Sequence, residues 1–580
     1  MKIPDFQDTS TEEARPRDAL FNAAFARATF GISPNAVALA YIDWLAHLAV
    51  SPGKQLELLE KAWRKMIRLS LYAARAGDAQ CIEPLPQDRR FDHAYWKKWP
   101  FDLVCQSFLL AQQWCWNAST GVHGVTPHHS EVVTFVTRQW LDMFSPSNFF
   151  LTNPEVLQET WRSGGMNLAR GLHNAWEDVL RNLVNGPPEG AESYRVGVNV
   201  AVTPGKIIFR NSLIELIQYA PRTKKVSPEP ILIVPSWIMK YYVLDLSADN
   251  SLVRYLVENG YTVFIISWKN PGSEDRDVGM EAYLHSGVFA ALDAIGRILP
   301  GRKVHGLGYC LGGTILSIAA AVAARGKEER FAGLSLLASE VDFSDPGELG
   351  LFIDESQIAY LEDLMWARGY LDGREMAGAF MLLNSKDLFW SRMVHDYLMG
   401  GRASLSDLAA WNADATRLPL AMHSEYLRCL YLDNELSEGR YEVDGRAVAL
   451  TDIRAPMFVV GTERDHISPW KSVYKIHLLV DVEIRFVLTT GGHNVGVVNP
   501  PASCVAGRGC RVLDHVHGDR YLDPELWFLQ AHWHDGSWWP QLLEWLSAHT
   551  GERVEARGMG APMDGLPPLY DAPGRYVLAP

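Results

Sequence analysis

The segment Gly308–Gly313 carries a cysteine with one glycine two residues before it and another two residues after it. This spacing matches G-x-S-x-G, the sharp strand-to-helix turn that lifts a nucleophile above a sheet, with Cys310 in place of serine. Gly308 and Gly312 fit that turn, because larger residues there would collide. A helix that begins directly after the cysteine favours the thiolate, the attacking species. We therefore predict that Cys310 is the nucleophile of acyl-transfer chemistry; a buried, inert cysteine in a glycine-rich turn is the alternative.

An acid and a histidine follow this cysteine in the order that such a turn requires, nucleophile, acid, histidine. Asp465 comes soon after the apolar run Met457–Val460, and His493 soon after Ile484–Leu488. Both side chains are therefore expected just past the ends of neighbouring strands, beside the nucleophile. We expect the histidine to be general base and then general acid. The aspartate would fix the tautomer of the histidine and stabilise its imidazolium form.

Alternatives exist for both residues. Glu463 and His466 compete with Asp465; we expect Glu463 to be solvated and His466 to pack against its own loop. For His493 the alternative is a histidine of a surface loop, but two preceding glycines and the strand before them favour the catalytic interpretation.

Two backbone N–H groups are needed to stabilise the oxyanion of acyl transfer. The N–H of Leu311, directly after the nucleophile, is expected to be one donor. The loop Pro235–Ile238, which follows an earlier apolar run, is expected to supply the other through Trp237 or Ile238.

Short apolar runs alternate with helical stretches through the second half of the chain and predict the elements that position these residues. This alternation is typical of a mostly parallel sheet covered on both faces. A β-hairpin is predicted before them, with Val196–Val202 running out and Lys206–Arg210 running back. The runs are Ile231–Val234, Thr262–Ser267, Val304–Leu307, Gly333–Leu337, Met457–Val460 and Ile484–Leu488.

The prediction is thus an α/β-hydrolase fold of residues 194–580, preceded by a mainly helical N-terminal domain of residues 1–193. Helical periodicity without strand runs from residue 18 to about 190 supports the latter. A second helical stretch, at about 343–447, interrupts the alternation. We expect it to cap the site, since the chemistry flanks it on both sides; a helical layer with no role in access is the alternative.

Composition excludes several classes of protein. Hydrophobic residues make up 48% and charged residues 21%, as in globular proteins. A net charge of −14 opposes binding to nucleic acid. Seven cysteines imply no disulfide framework and favour the cytoplasm. Met1–Arg17 lacks the apolar core of a signal peptide, and no apolar run reaches the ~20 residues of a transmembrane segment.

No cofactor and no metal are expected, because neither a phosphate-binding loop nor a dinucleotide fingerprint occurs in the chain. A metal site is the weaker alternative, since its histidine pairs lack an established zinc spacing. The residues of that alternative are His515, His517, His532, His534, Asp535, Cys504 and Cys510.

With these motifs in place, the chain resembles the polyhydroxyalkanoate synthases, in particular the longer, class I-like, single-polypeptide type. It departs from many members at Asn494, where they carry an aliphatic residue, and in the segment Ala502–Gly509. The segments that carry the resemblance are Leu39–Ala76, Phe91–Asn167, Pro235–Leu246, the turn around Cys310, Trp411–Asp414, Gly461–Trp470, Gly491–Pro501, Ser537–Pro540 and Pro573–Leu578.

The resemblance implies that Cys310 takes the acyl group of an (R)-3-hydroxyacyl-CoA as a thioester, releases CoA and passes the group to the hydroxyl of a growing polyester. His493 would activate Cys310, and the pair with Asp465 would help to deprotonate the hydroxyl. The resemblance also implies a homodimer, residence on polyester granules in the cytoplasm and a preference for short units.

Two rival functions remain. A cysteine-dependent hydrolase or thioesterase would use the same three residues, although it would not need the helical N-terminal third. A catalytically silent granule-coat protein would not need all three residues in order.

Overall fold

The computed structural model describes residues 9–29, 31–75, 80–85, 88–184, 186–373, 375–376, 385, 389–402, 404–502 and 507–579. The chain divides into two compact units. The first, the sheet unit, comprises the residues up to Arg27, 190–376 and 405–580, and the second, the helical unit, comprises residues 28–189 and 377–404.

The sheet unit is built on an eleven-stranded mixed sheet, in the order β15-β14-β13-β12-β7-β6-β4-β5-β2-β1-β17. Its central strands, from β5 through β4, β6, β7 and β12 to β13, are parallel, and antiparallel strands flank them on both sides. The strands are β1 Gly205–Arg210, β2 Ile214–Tyr219, β3 Lys225–Val226, β4 Ile231–Val234, β5 Val263–Trp268, β6 Val304–Tyr309, β7 Phe331–Leu337, β8 Tyr370–Leu371, β9 Leu418–Pro419, β10 Glu442–Val443, β11 Arg446–Ala447, β12 Met457–Thr462, β13 Ile484–Thr489, β14 Gly509–His515, β15 His532–Asp535, β16 Val554–Glu555 and β17 Tyr570–Asp571.

Both faces of the central strands are buried, because helices cover each of them. Along β4, Leu232 and Val234 point into one apolar cluster, whereas Ile231 and Ile233 point into the other. This arrangement explains why the central strands read as continuous apolar runs. The α-helices of the sheet unit are Thr9–Ala28, Leu252–Glu258, Met280–Ala282, Ala290–Ile298, Leu311–Arg325, Glu355–Arg368, Asp407–Asn412, Leu420–Glu425, Trp470–Tyr474, His493–Val497, Pro524–Gln530 and Trp539–Ala548.

The six predicted runs all form strands of this sheet, and the α/β-hydrolase prediction is confirmed. The predicted hairpin is wrong. The strand β1 pairs with β2, not with Val196–Val202, which forms only isolated bridges. Asn211 closes the real turn, because its side-chain oxygen accepts the N–H groups of Leu213 and Ile214, each at 2.8 Å.

The helical unit contains the α-helices Pro34–Ala49, Pro52–Arg75, Phe101–Ser119, Pro127–Met143, Pro154–Arg162, Met166–Leu183 and Ser391–Met393. A π-helix, Val394–Leu398, continues the last of these and packs on Met166–Leu183. The contact is close at Gly171, where a Cβ atom would lie 1.7 Å from the carbonyl oxygen of Tyr397.

Several expectations about organisation stay predictions, among them the domain boundary after residue 193 and the cap at about 343–447. The first helix, Thr9–Ala28, packs on the core of the sheet unit through Ala23 and Ala26. No single helix in the described part of the chain is long and apolar enough to cross a membrane. The pair Pro34–Ala49 and Pro52–Ala74, bent by 92°, passes that test jointly, by length and composition.

Candidate active site

The site begins at the turn between β6 and the helix Leu311–Arg325. Cys310 forms this turn with φ +52° and ψ −126°, a strained conformation for a residue with a side chain. A Cβ on Gly308 would lie 2.3 Å from Cα of Gly313, and one on Gly312 would lie 1.9 Å from the carbonyl oxygen of Val234. The glycines therefore permit a close approach of backbones on both sides of the cysteine.

Hydrogen bonds from the end of the neighbouring strand β7 hold the turn. The Cys310 N–H donates to the carbonyl of Leu337 at 2.9 Å. The Cys310 carbonyl accepts from the Ser339 hydroxyl at 2.7 Å and from the Gly313 N–H at 2.8 Å. These bonds fix the strained backbone, so the thiol is held in one place.

Asp465 and His493, which follow β12 and β13, face each other across 2.9 Å, measured from Oδ2 to Nδ1. The other carboxylate oxygen of Asp465 accepts the N–H groups of Ile467 and Ser468, each at 2.9 Å. Thr462 donates a further bond to Oδ2 at 2.8 Å. The aspartate is therefore fixed by four donors and orients the imidazole.

Charge in this cluster shifts both pKa values toward an ion pair. Burial opposes the charged form of His493, but the carboxylate of Asp465 and the neighbouring Cys310 raise its pKa well above 6.5. Burial likewise opposes ionisation of Asp465, but His493 and the hydrogen bonds lower its pKa below 3.8. Because Asp465 occupies Nδ1, Nε2 is the nitrogen available to the thiol.

Tyr309 and Asn494 support the histidine from one side. The ring of Tyr309 lies 5.6 Å from that of His493, centroid to centroid. Its hydroxyl donates to Oδ1 of Asn494. Asn494 therefore fixes the residue directly before Cys310.

The loop after β4 lies across the turn from β7. Trp237 is buried, and its carbonyl accepts a hydrogen bond from the Thr416 hydroxyl at 2.6 Å. The Ile238 N–H donates to Ser236 Oγ at 3.3 Å. Leu311 is buried at the start of its helix.

Comparisons with known proteins identify the family of this chain. Residues 12–54 match the family described as poly-beta-hydroxybutyrate polymerase N terminal, residues 87–256 match the poly-beta-hydroxybutyrate polymerase (PhaC) N-terminus, and residues 229–500 match the alpha/beta hydrolase fold. A poly(3-hydroxyalkanoate) polymerase of Methylorubrum extorquens is 42% identical over 86% of this chain and 81% of its own. The chain belongs to the polyhydroxyalkanoate synthases.

Other relatives of this synthase extend the match. A poly(3-hydroxyalkanoate) polymerase subunit PhaC of Cupriavidus necator is 36% identical over 93% of this chain and 90% of its own. Among solved structures, a monoacylglycerol lipase of Paleococcus ferrophilus covers 58% of this chain and 99% of its own at 13% identity, with a TM-score of 0.32, which supports no further argument. The synthase is an acyl-transferring enzyme that acts on acyl-CoA and polymer.

The structure brings Cys310, Asp465 and His493 together. His466 is exposed, so the expectation that it packs against its loop is wrong, and Glu463 is half-buried. Within the described ranges, no three histidine, cysteine or carboxylate side chains could hold a metal ion. Cys504 lies outside those ranges.

Sequence reasoning missed Glu340 and Ser339, which lie just past β7. The rule that identified Asp465 and His493, polar residues directly after a strand, applies equally to these two. Both are buried, with 3% of each residue exposed.

Proposed function

We propose that this synthase polymerises (R)-3-hydroxyacyl-CoA through a thioester carried by Cys310. The observation that carries the proposal is the hydrogen bond between His493 Nδ1 and Asp465 Oδ2, beside a cysteine held in a strained turn. The arrangement matches the functional requirements of a nucleophile, a base and a group that orients the base.

In the loading step, the sulfur of Cys310, whose proton His493 already holds, attacks the thioester carbon of the acyl-CoA. The oxyanion is stabilised by the N–H groups of Leu311 and Trp237. CoA leaves as a thiol with the proton that His493 held. One thioester replaces another, so the step is close to isoenergetic.

In the elongation step, the 3-hydroxyl of another unit or of the growing chain attacks the acyl group on Cys310. His493 takes the hydroxyl proton, and Asp465 stabilises the resulting imidazolium. The C–S bond breaks, His493 keeps the proton and the polyester is one unit longer. Exclusion of water by the helical segment at about 343–447 favours this attack over hydrolysis.

The same proposal places the synthase on polyester granules in the cytoplasm, as a homodimer that prefers short 3-hydroxyacyl units. These features rest on the resemblance to the family.

The test is CoA release from 3-hydroxybutyryl-CoA by the purified protein, followed by analysis of the acyl product. Insoluble polyester is the expected result. Free 3-hydroxybutyrate alone would contradict the proposal in favour of a thioesterase. Failure to release CoA from 3-hydroxyacyl-CoA of any chain length would contradict it in favour of a granule-coat protein.

A further inference from the structure

Glu340 is a carboxyl group buried beside the nucleophile and not used in the steps above. Only 3% of the residue is exposed, and neither carboxyl oxygen has a hydrogen-bond partner among the residues that the structure describes. Its backbone is fixed, because its carbonyl accepts from the Thr314 hydroxyl at 2.7 Å, one turn into the helix that follows Cys310.

The surroundings keep this carboxyl group neutral. Burial raises the pKa of Glu340 well above its usual 4.5, and the negative charge of Asp465 adds to the effect; His493 and Lys475 oppose it only in part. A neutral carboxyl group both donates and accepts hydrogen bonds.

Two further neighbours of Glu340 are neutral tyrosines. Tyr426 and Tyr431 lie in the same buried cluster, within electrostatic range of both Glu340 and Cys310, and burial raises both tyrosine pKa values well above 10. A buried polar group without a partner is destabilising, and a bound ligand that pairs with it removes this cost.

The order of the strands indicates which substrate oxygen Glu340 can reach. The strand β6, which ends at the nucleophile, lies between β4 and β7. The oxyanion loop follows β4, so the thioester oxygen belongs on that side. Glu340 follows β7, on the side of Asp465 and His493. The oxygen left for Glu340 is therefore a hydroxyl of the acyl unit, not its carbonyl.

We propose that Glu340 binds the 3-hydroxyl of the hydroxyacyl unit carried by Cys310, and so selects hydroxylated over plain acyl groups. This inference rests on the proposed function of Cys310. A site built to pair with a hydroxyl discriminates strongly against the analogue that lacks it, because its own polar group is then left unpaired.

The test compares single-turnover CoA release from 3-hydroxybutyryl-CoA and from butyryl-CoA, which lacks the hydroxyl. In Glu340→Leu we expect the preference for the hydroxylated substrate to fall at least ~10-fold, with butyryl-CoA loading within about twofold of wild type. Glu340→Gln should keep most of the preference, because an amide also donates and accepts. Glu375→Gln, a partly buried glutamate paired with Arg368 at 2.9 Å, is the matched control and should change nothing.

Equal slowing of both substrates in Glu340→Leu would overturn the proposal and indicate a purely structural role. Loss of preference in Glu340→Gln as large as in Glu340→Leu would overturn it in favour of an ionised base. Unchanged preference in Glu340→Leu would overturn it while the proposed function stands. A wild-type protein that loads neither substrate would instead overturn the proposed function.

Discussion

The charged residues at the two edges of the central strands differ in how deeply they are buried. At the amino edge, β6, β7 and β12 begin beside a cleft of about 800 Å³. At the carboxyl edge the same strands are followed by Cys310, Glu340 and Asp465. The charged residues of the cleft are mainly Arg302, Lys303, Lys327, Glu328, Glu329 and Arg330.

This difference shows that the candidate active site is distinguished by its buried polar groups and not by the presence of a cleft. Lys303 and Glu329 pair at 2.7 Å, but their side chains are 48% and 82% exposed, so the pair contributes little to stability. At the carboxyl edge the Asp465 side chain is fully buried and that of His493 is 9% exposed. Buried charges persist where their partners and their use compensate for the loss of hydration.

Removal of the proposed nucleophile, Cys310, should have the largest effect. In Cys310→Ala we expect CoA release to become undetectable, because the proposed acyl-enzyme cannot form without this thiol. The control is Cys429→Ala, a half-buried thiol whose pKa is raised to about 12, mainly by burial, and which should keep wild-type activity. Substantial CoA release by Cys310→Ala would show that the reaction does not use the thiol at the carboxyl edge.

Neutralising the acid should have the next largest effect. Asp465→Asn should lower CoA release by ~10²–10⁴-fold, since the imidazole loses its orienting and stabilising charge. Its neighbour Glu463, half-buried, provides the control Glu463→Gln, expected to remain within about twofold of wild type. If Glu463→Gln lost more activity than Asp465→Asn, the acid would be misassigned.

Crowding the turn should have an intermediate effect. Gly312→Ala places a Cβ 1.9 Å from the Val234 carbonyl oxygen, so the backbone must shift. We expect CoA release to fall by ~10²-fold, as misplacement of a reacting group allows. Gly296→Ala, on an exposed helix position with nothing within 4 Å, should preserve activity and stabilise by up to ~1 kcal/mol. Equal activity of the two variants would show that the close approach is dispensable.

The buried pair should also make stability depend on pH. The folded pKa of His493 is raised above 6.5, so its contribution is complete below pH 6.5 and is lost as pH rises through the folded value. The folded pKa of Asp465 is lowered, so its contribution is present above pH 3.8 and is lost as pH falls through the folded value.

Between those limits the pair stabilises the sheet unit. We therefore expect the difference in Tm between wild type and Asp465→Asn to be wider at pH about 6 than at pH about 9, by roughly 2 °C. Thermal melts of both proteins at the two pH values measure it. A difference that widens toward high pH would contradict the ion pair.

The smallest effect is expected at the amino edge. Lys303→Ala breaks an exposed ion pair, so the free energy of unfolding should change by less than ~1 kcal/mol and CoA release by less than about twofold. Denaturant titration and the CoA assay measure the two quantities. A large loss of CoA release would show that the cleft also has a function. The proposed contrast between a functional carboxyl edge and an amino edge without function would then be wrong.

Much of the carboxyl edge could be predicted from the sequence, because local patterns encode it. The glycines around Cys310 predict the turn. The apolar runs that precede Asp465 and His493 predict where two strands end. The predicted runs lie at strand positions because continuous apolar segments are typical of parallel strands buried on both faces.

The rest depends on contacts between distant residues. The strand β1 pairs with β2 on one side and with β17 on the other, and Lys206 contacts Asp571, 365 residues later. Alternating valines at Val196–Val202 satisfied the hairpin pattern equally well. Glu340 looks like an ordinary loop acid, and only tertiary packing determines that it is buried.

The most direct test of an acyl-enzyme on Cys310 uses butyryl-CoA in large excess, so that it loads despite the missing hydroxyl, and its acyl group cannot be elongated. After rapid mixing and acid quench, intact-mass and peptide analysis locate the adduct. We predict one butyryl group, on the peptide that contains Cys310, released by hydroxylamine and absent from Cys310→Ala. An adduct on another residue, or CoA release without any adduct, would contradict the thioester mechanism.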